Sequence, residues 1–319
     1  MTTPSDPAQD TSTDAVKMHA GEVSTSPELV RRLIVAQFPQ WRDLPIRAVP
    51  SGGTDNAIYR LGHDMAVRMP RIAWAVGQVQ KEQEWLPRLA PYLPLPIPMP
   101  LALGRPGEDY PWHWSVYRWL EGNNATAKRL ADPCRAAREL SHFIRALQKI
   151  DTTGGPAAGE HNSGRGVPLV LRDTTVQEAI AALKDTHETI DTHAAASAWE
   201  DALNAPVWQN APVWVHGDLQ QGNLLVERGQ LSAVIDFGGL GIGDPACDLI
   251  VAWNLFAGRS RDVFRAELGV DEATWARGRG WALSVGLIAL PYYLPMSPAM
   301  VRYARHIITE VIADFERGT

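Results

Sequence analysis

The chain is poor in cysteine, lacks a long apolar run and carries no excess of positive charge. Cys134 and Cys247 are the only cysteines in 319 residues. Two thiols make neither a disulfide framework nor a four-cysteine zinc site. Each lies in an apolar run and reads as a small buried hydrophobe. No stretch reaches the roughly eighteen consecutive apolar residues of a membrane-spanning helix. The N-terminal stretch has neither the basic nor the apolar region of a secretion signal, so the expected setting is the cytoplasm, with no membrane partner. Acidic residues number 36 against 30 basic, a net charge of −6. That balance excludes a typical duplex-nucleic-acid binder, which needs concentrated positive charge. The twelve tryptophans are scattered without the basic interleaving of a single-strand platform. A mildly acidic chain suits a cationic small substrate instead.

What is present points to two lobes. Residues 1–24 are rich in Thr, Ser, Asp and Ala and predict a disordered tail. Ser26-Pro27-Glu28 has the form of a helix start, followed by Leu29, Leu33 and Ile34 at helical spacing. From Ile46 to Pro70 the pattern reads strand, turn, strand, turn, strand. Residues 78–89 look helical. Five prolines between Pro87 and Pro98 then predict an extended connector that forbids helix. Ser115–Leu120 is strand-like. Beyond it helices dominate, with Asp132-Pro133 starting one, others near 174–190 and 194–203, and a last one from Pro298. Strands over Leu224–Val226 and Ala233–Ile235 interrupt them as a hairpin. The expectation is an α+β chain in three parts: a tail over 1–24, a small β-rich lobe with a leading helix over 25–118, and a larger helical lobe over 119–319. A cleft between lobes is a common ligand site.

The most informative stretch is Val215-His216-Gly217-Asp218-Leu219-Gln220-Gln221-Gly222-Asn223, followed by Ile235-Asp236-Phe237-Gly238. Phosphoryl transfer from a nucleotide requires a carboxylate to orient the attacking hydroxyl. It also requires hard oxygen ligands to hold magnesium on the phosphates. Asp218, Asn223 and Asp236 supply those groups. A hairpin between Asn223 and Asp236 would bring the two side by side. His187 and His193 have no cysteine partners and do not suggest zinc.

These motifs resemble the aminoglycoside phosphotransferase family, a small-molecule kinase branch of the protein-kinase-like fold, over roughly residues 45–260. That family reads His-Gly-Asp where protein kinases read His-Arg-Asp. The resemblance implies a bilobal fold with Asp218 as catalytic base and Asn223 and Asp236 as Mg2+ ligands. His216, Asp244 and Asp248 would support the loop, the two aspartates lying in Gly243-Asp244-Pro245-Ala246-Cys247-Asp248-Leu249; facing a cationic substrate is the alternative for those two. Gly52, Gly53 and Thr54 would cover the nucleotide phosphates through backbone N–H groups. Arg68 stands where the family has lysine, a departure that keeps the charge and changes the geometry; Arg71 is a second candidate. Its carboxylate partner would be Glu82, with Glu84 the alternative. Tyr117, Arg118 and Trp119 would lie against the purine through their main chain, with Trp119 more a core side chain than a stacking surface. The implied activity moves the γ-phosphate of ATP or GTP to a hydroxyl of a small molecule, first of all an aminoglycoside-like antibiotic. A choline, sugar or amino-sugar kinase and a macrolide kinase are alternatives, as is a nucleotide-binding pseudo-kinase regulator supported only by Arg68. The implied partners are the nucleotide and the hydroxyl acceptor, with no nucleic acid, in a monomer or homodimer.

Overall fold

Ser26 starts the first helix, its hydroxyl accepting the Leu29 N–H with Pro27 in the first turn. The computed structural model describes residues 21–50, 55–184 and 190–318. Helix α1 (Pro27–Gln37) buries Leu29, Val30, Leu33 and Ile34. Strands β1 (Ile46–Val49), β2 (Asn56–Leu61) and β3 (Met65–Pro70) follow, then helix α2 (Val76–Leu89) and strands β4 (Pro100–Gly104) and β5 (Trp114–Arg118). The strands form one antiparallel sheet in the order β1-β2-β3-β5-β4. Tyr59, Leu61, Val67, Met69, Trp114 and Val116 share a buried cluster with the apolar face of α1. Side chains alternate along a strand, so Arg68, between Val67 and Met69, leaves on the opposite face and enters the cleft.

The remaining elements are β6 (Asn123–Asn124), α3 (Pro133–Gln148), α4 (Asp173–Lys184), α5 (Thr192–Asn204), β7 (Val213–Val215), β8 (Leu224–Glu227), β9 (Gln230–Val234), β10 (Gly241–Gly243), α6 (Val251–Asn254), α7 (Arg259–Leu268), α8 (Glu272–Tyr293) and α9 (Pro298–Gly318). β6, β8 and β9 pair as one small sheet and β7 and β10 as another. A second buried cluster joins α3, α8 and α9 with Trp214, Phe237 and Trp253. It also takes in Trp85, Leu86 and Leu89 of α2, with Trp85 and Trp214 rings 4.8 Å apart. Thus α2 lies in sequence between β3 and β4 of the first sheet yet packs on the helical part. None of the described helices is long and apolar enough to cross a membrane.

Several expectations need correction. The tail assigned to 1–24 lies outside the described residues up to 20, but its end is packed: Glu22 is buried and paired with Arg71, and Val23 N–H donates to Arg71 O at 2.8 Å. The prolines do not stop α2 at Pro87, which lies inside the helix. A helical proline costs about 3 kcal/mol, and burial of Trp85, Leu86 and Leu89 outweighs it at about 1.5–3 kcal/mol per fully buried side chain. The connector then yields a strand, β4, which the proline count hid. The helix expected over 174–190 is described from Asp173 to Lys184; the rest of that span, residues 185–189 with His187, lies outside the described residues. Cys134 is only half-buried, whereas Cys247 is fully buried.

Candidate active site

β7 delivers the chain into His216-Gly217-Asp218, and three contacts fix that turn. Asp248 is fully buried and accepts the His216 N–H at 2.8 Å and the Gly217 N–H at 2.7 Å. Burial pushes the Asp248 pKa up, against the pull of His216 and these two N–H groups. The Asp218 N–H donates to His216 Nδ1 at 3.2 Å. A backbone N–H only donates, so Nδ1 accepts and Nε2 carries the proton toward Ile235 O at 3.1 Å. His216 is thereby held as a brace between the loop and the residue before Asp236, its ring 4.5 Å from Phe237. Gly217 has φ of +81°, and a Cβ there would lie 2.3 Å from Gly239 O. Asn254 adds a further tie, its Oδ1 accepting the Gln221 N–H at 3.0 Å.

Asp218 is partly exposed to the cleft. Its Oδ2 accepts from Gln220 at 2.9 Å and from Asn223 Nδ2 at 2.8 Å. Asn223 Nδ2 also donates to Asp218 O at 2.8 Å. With the amide nitrogen engaged twice, Asn223 presents Oδ1 as its open acceptor. Ile235 N–H donates to Asn223 O at 2.8 Å, so the β8–β9 hairpin brings Asp236 back beside Asn223. Asp236 adopts a left-handed φ of 63°, a conformation that Asp tolerates better than most residues.

Above this floor, Arg68 gathers three partners. Nη1 donates to Glu82, and Nη2 donates to Gln78 Oε1 at 3.1 Å and Asp236 Oδ1 at 2.9 Å. Burial alone would lower the Arg68 pKa, but the Glu82 and Asp236 carboxylates override it and raise it. Glu82 also accepts from the Tyr117 hydroxyl. Glu84 instead pairs on the surface with Arg88 at 3.3 Å, and Arg71 turns away to Glu22. The sequence pattern does not single out Lys81, whose ammonium donates to Gly238 O at 2.8 Å and Leu240 O at 3.0 Å. It ties α2 to the loop after Asp236. Arg165, with Nη2 3.7 Å from Asp218 Oδ1, was equally illegible. Each has partners far along the chain, which spacing cannot reveal.

The main chain at the lobe junction differs from expectation. Arg118 N–H donates to Met99 O at 2.9 Å and Trp119 N–H to Asp64 O at 2.7 Å. These two donors are therefore already engaged, and Leu120 and Gly122 line the cavity just beyond them. Trp119 is not core: it is half-buried at the cavity edge, with the Arg60 guanidinium 4.0 Å from its ring centroid. Gly52, Gly53 and Thr54 lie outside the described residues. Asp244 accepts the Ala246 N–H at 3.0 Å and pairs with buried Arg277 at 2.7 Å, so it caps a turn and anchors α8 below the loop.

Two cavities meet here. One, of about 400 Å³, runs under β1–β3 past Arg68, Tyr117, Trp119 and Leu120 to Asn223 and Asp236. The other, of about 730 Å³, runs from Asp218, Asn223 and Asp236 down to Arg165, Arg172, α8 and α9. Among the described residues no cluster of three or more His, Cys, Asp or Glu side chains forms a metal cage. Asn223 Oδ1 and the Asp236 oxygen not bonded to Arg68 are a hard-oxygen pair at the meeting point. That set fits Mg2+, which takes one or two protein oxygens beside phosphates.

A model of the phosphotransferase enzyme family matches residues 46–281. No curated protein matches the chain. Among solved structures, the GDP complex of wild-type aminoglycoside 2'-phosphotransferase-IIIa is 18% identical with a TM-score of 0.71, covering 91% of this chain and 100% of that one. The GDP and kanamycin complex of APH(2")-IIia is 19% identical with a TM-score of 0.69, covering 89% and 98%. The macrolide 2'-phosphotransferase MphH from Brachybacterium faecium is 20% identical with a TM-score of 0.58, covering 89% and 98%. At such identities the likeness establishes the fold, protein-kinase-like with an antiparallel N-terminal sheet and a helical C-terminal part.

Proposed function

This chain belongs to the phosphotransferase enzyme family, and we propose that it moves the γ-phosphate of ATP or GTP to a hydroxyl of a small molecule in a Mg2+-dependent reaction. One observation carries the reading: a nucleotide-sized cavity and a larger one open onto each other at Asn223 and Asp236, with Asp218 on the acceptor side. In this reading the phosphates lie in the first cavity, steadied by Arg68, which Glu82 and Gln78 hold in place. The Asp218 carboxylate accepts the proton of the acceptor hydroxyl and aims its oxygen along the line of attack. Gln220 and Asn223 hold the carboxylate in that orientation. Asn223 and Asp236 would hold Mg2+, which neutralises charge on the phosphates when bound. No covalent enzyme intermediate is required.

The aminoglycoside-like acceptor is the first candidate from the family likeness, and the similar structures named for aminoglycosides support it. The lining of the larger cavity favours a second reading. Its acceptor wall is Val285, Ile288, Ala289, Tyr292, Tyr293 and Met300; among the described residues its acidic side chains are Asp55, Asp218 and Asp236, none of them on that wall. A polycation finds no carboxylate along the wall among the described residues. A hydroxyl-bearing acceptor with a mostly apolar body, of which a macrolide is one kind, fits it better.

The test is transfer of labelled γ-phosphate from ATP and GTP to kanamycin, erythromycin, choline and simple sugars. Asp218→Asn should lower kcat about 10²–10⁴-fold while nucleotide affinity stays within about threefold. Full turnover in that variant would remove Asp218 from the chemistry. Nucleotide binding with no transfer to any acceptor would favour the regulator reading.

A further inference from the structure

The acceptor cavity contains two arginines for which phosphoryl transfer has no evident need. Arg165 has an Nη1 buried without a hydrogen-bond partner among the described residues, and its nearest carboxylate is Asp218 at 3.7 Å. Arg172 donates Nε–H to Ser284 Oγ at 3.0 Å and lies 4.7 Å from the Trp281 ring centroid. Among the described residues no carboxylate pairs with it. Burial and the neighbouring Arg165 push the Arg172 pKa down to about 10. The two guanidiniums repel one another, and Asp218, at 3.7 Å from Arg165, is the one carboxylate paired with either among the described residues. Both line the acceptor cavity and neither lines the nucleotide cavity. Tyr303 lines the same wall. Burial first, and Asp218 second, raise its phenol above the usual range, so it stays an O–H donor.

A guanidinium fork matches a carboxylate or phosphate and is weakly hydrated, so it is readily drawn out of water toward such an anion. The apolar wall of α8 and α9 lies across the same space. We propose that the acceptor carries a carboxylate or phosphate group bound by Arg172 and Arg165, with an apolar body against α8 and α9 and its hydroxyl presented to Asp218. This rests on the phosphotransferase reading and specifies its acceptor class. A polyammonium acceptor would place its charges against these two arginines.

Benzoate, benzamide and benzylamine are matched probes: one ring with a negative, neutral or positive group. Each is titrated by ligand-observed NMR into the full chain saturated with Mg2+ and a non-hydrolysable ATP or GTP analogue. Benzoate should bind saturably and about tenfold or more tighter than the other two. Arg172→Gln should reduce that preference below about threefold, and Arg172→Lys should restore part of it. The melting temperature of each variant confirms that it is folded. Equal binding of the three probes, a preference for benzylamine, no benzoate binding, or a benzoate preference unchanged in Arg172→Gln overturns the inference and leaves the phosphotransferase reading standing. Failure to bind Mg–nucleotide in the first step counts against that reading and removes this inference with it.

Discussion

Gly217 shows how little freedom the His216-Gly217-Asp218 turn has. At φ +81°, with Gly239 O 2.3 Å from where a Cβ would stand, any side chain strains the backbone and collides with a carbonyl. Gly217→Ala should lower stability by at least about 2 kcal/mol and abolish transfer; thermal unfolding and an activity assay check both. Arg68 is held as tightly for a different reason. Glu82 is almost wholly buried, so removing its cation leaves a buried carboxylate that has lost its ion pair and keeps the Tyr117 hydroxyl. Arg68→Met should cost about 3–5 kcal/mol and weaken nucleotide binding, whereas Arg68→Lys keeps the charge and should recover much of the stability; chemical denaturation and nucleotide titration separate the two effects. The residues legible in sequence were those whose chemistry is local. Asp218 and Asn223 are five apart, and a hairpin delivers Asp236. Lys81, Arg165 and Arg172 were not legible, because each acquires meaning from partners such as Gly238, 157 positions from Lys81.

At the scale of elements, α2 joins the two parts of the molecule. Its apolar side is locked into the helical core through Trp85, Leu86 and Leu89, while Gln78, Lys81 and Glu82 reach the cleft. Its start was readable from periodicity. Its passage through Pro87 was not, because propensity is local and tertiary burial overrode it. Lys81 gives α2 a pH signature. Burial, and then Arg68, push its pKa down to about 8 against the opposing effect of Glu82, whereas an unfolded lysine titrates near 10.4. Between those values the unfolded chain binds more protons than the folded one, so stability from this group rises with pH. The neutral amine keeps two N–H groups for the Gly238 and Leu240 carbonyls. The stability difference between wild type and Lys81→Met should therefore move in favour of wild type from about pH 7.5 to 9.5, as read by unfolding at each pH. A difference that stays flat would mean that Lys81 is not buried as a cation.

At the scale of the whole molecule, the two-lobed plan followed from a strand-rich front and a helical rear, and the family motifs reinforced it. What the sequence concealed was the apolar wall of the larger cavity. Tyr292, Tyr293, Met300 and Tyr303 come from α8 and α9, far from the motif, and only folding sets them across from Asp218 with Arg165 and Arg172 between. Net charge of −6 suggested a cationic substrate, but the average over the chain says nothing about one cavity, and this one sets an apolar wall beside Arg165 and Arg172. The account as a whole depends on the two cavities sharing a single metal–nucleotide site. The most direct measurement is anomalous scattering from a crystal of the full chain grown with Mn2+ and a non-hydrolysable ATP or GTP analogue. The expected result is a manganese peak at about 2.0–2.5 Å from Asn223 Oδ1 and an Asp236 oxygen, with the terminal phosphate facing Asp218. A nucleotide bound elsewhere, or a metal held without Asn223 and Asp236, would contradict it.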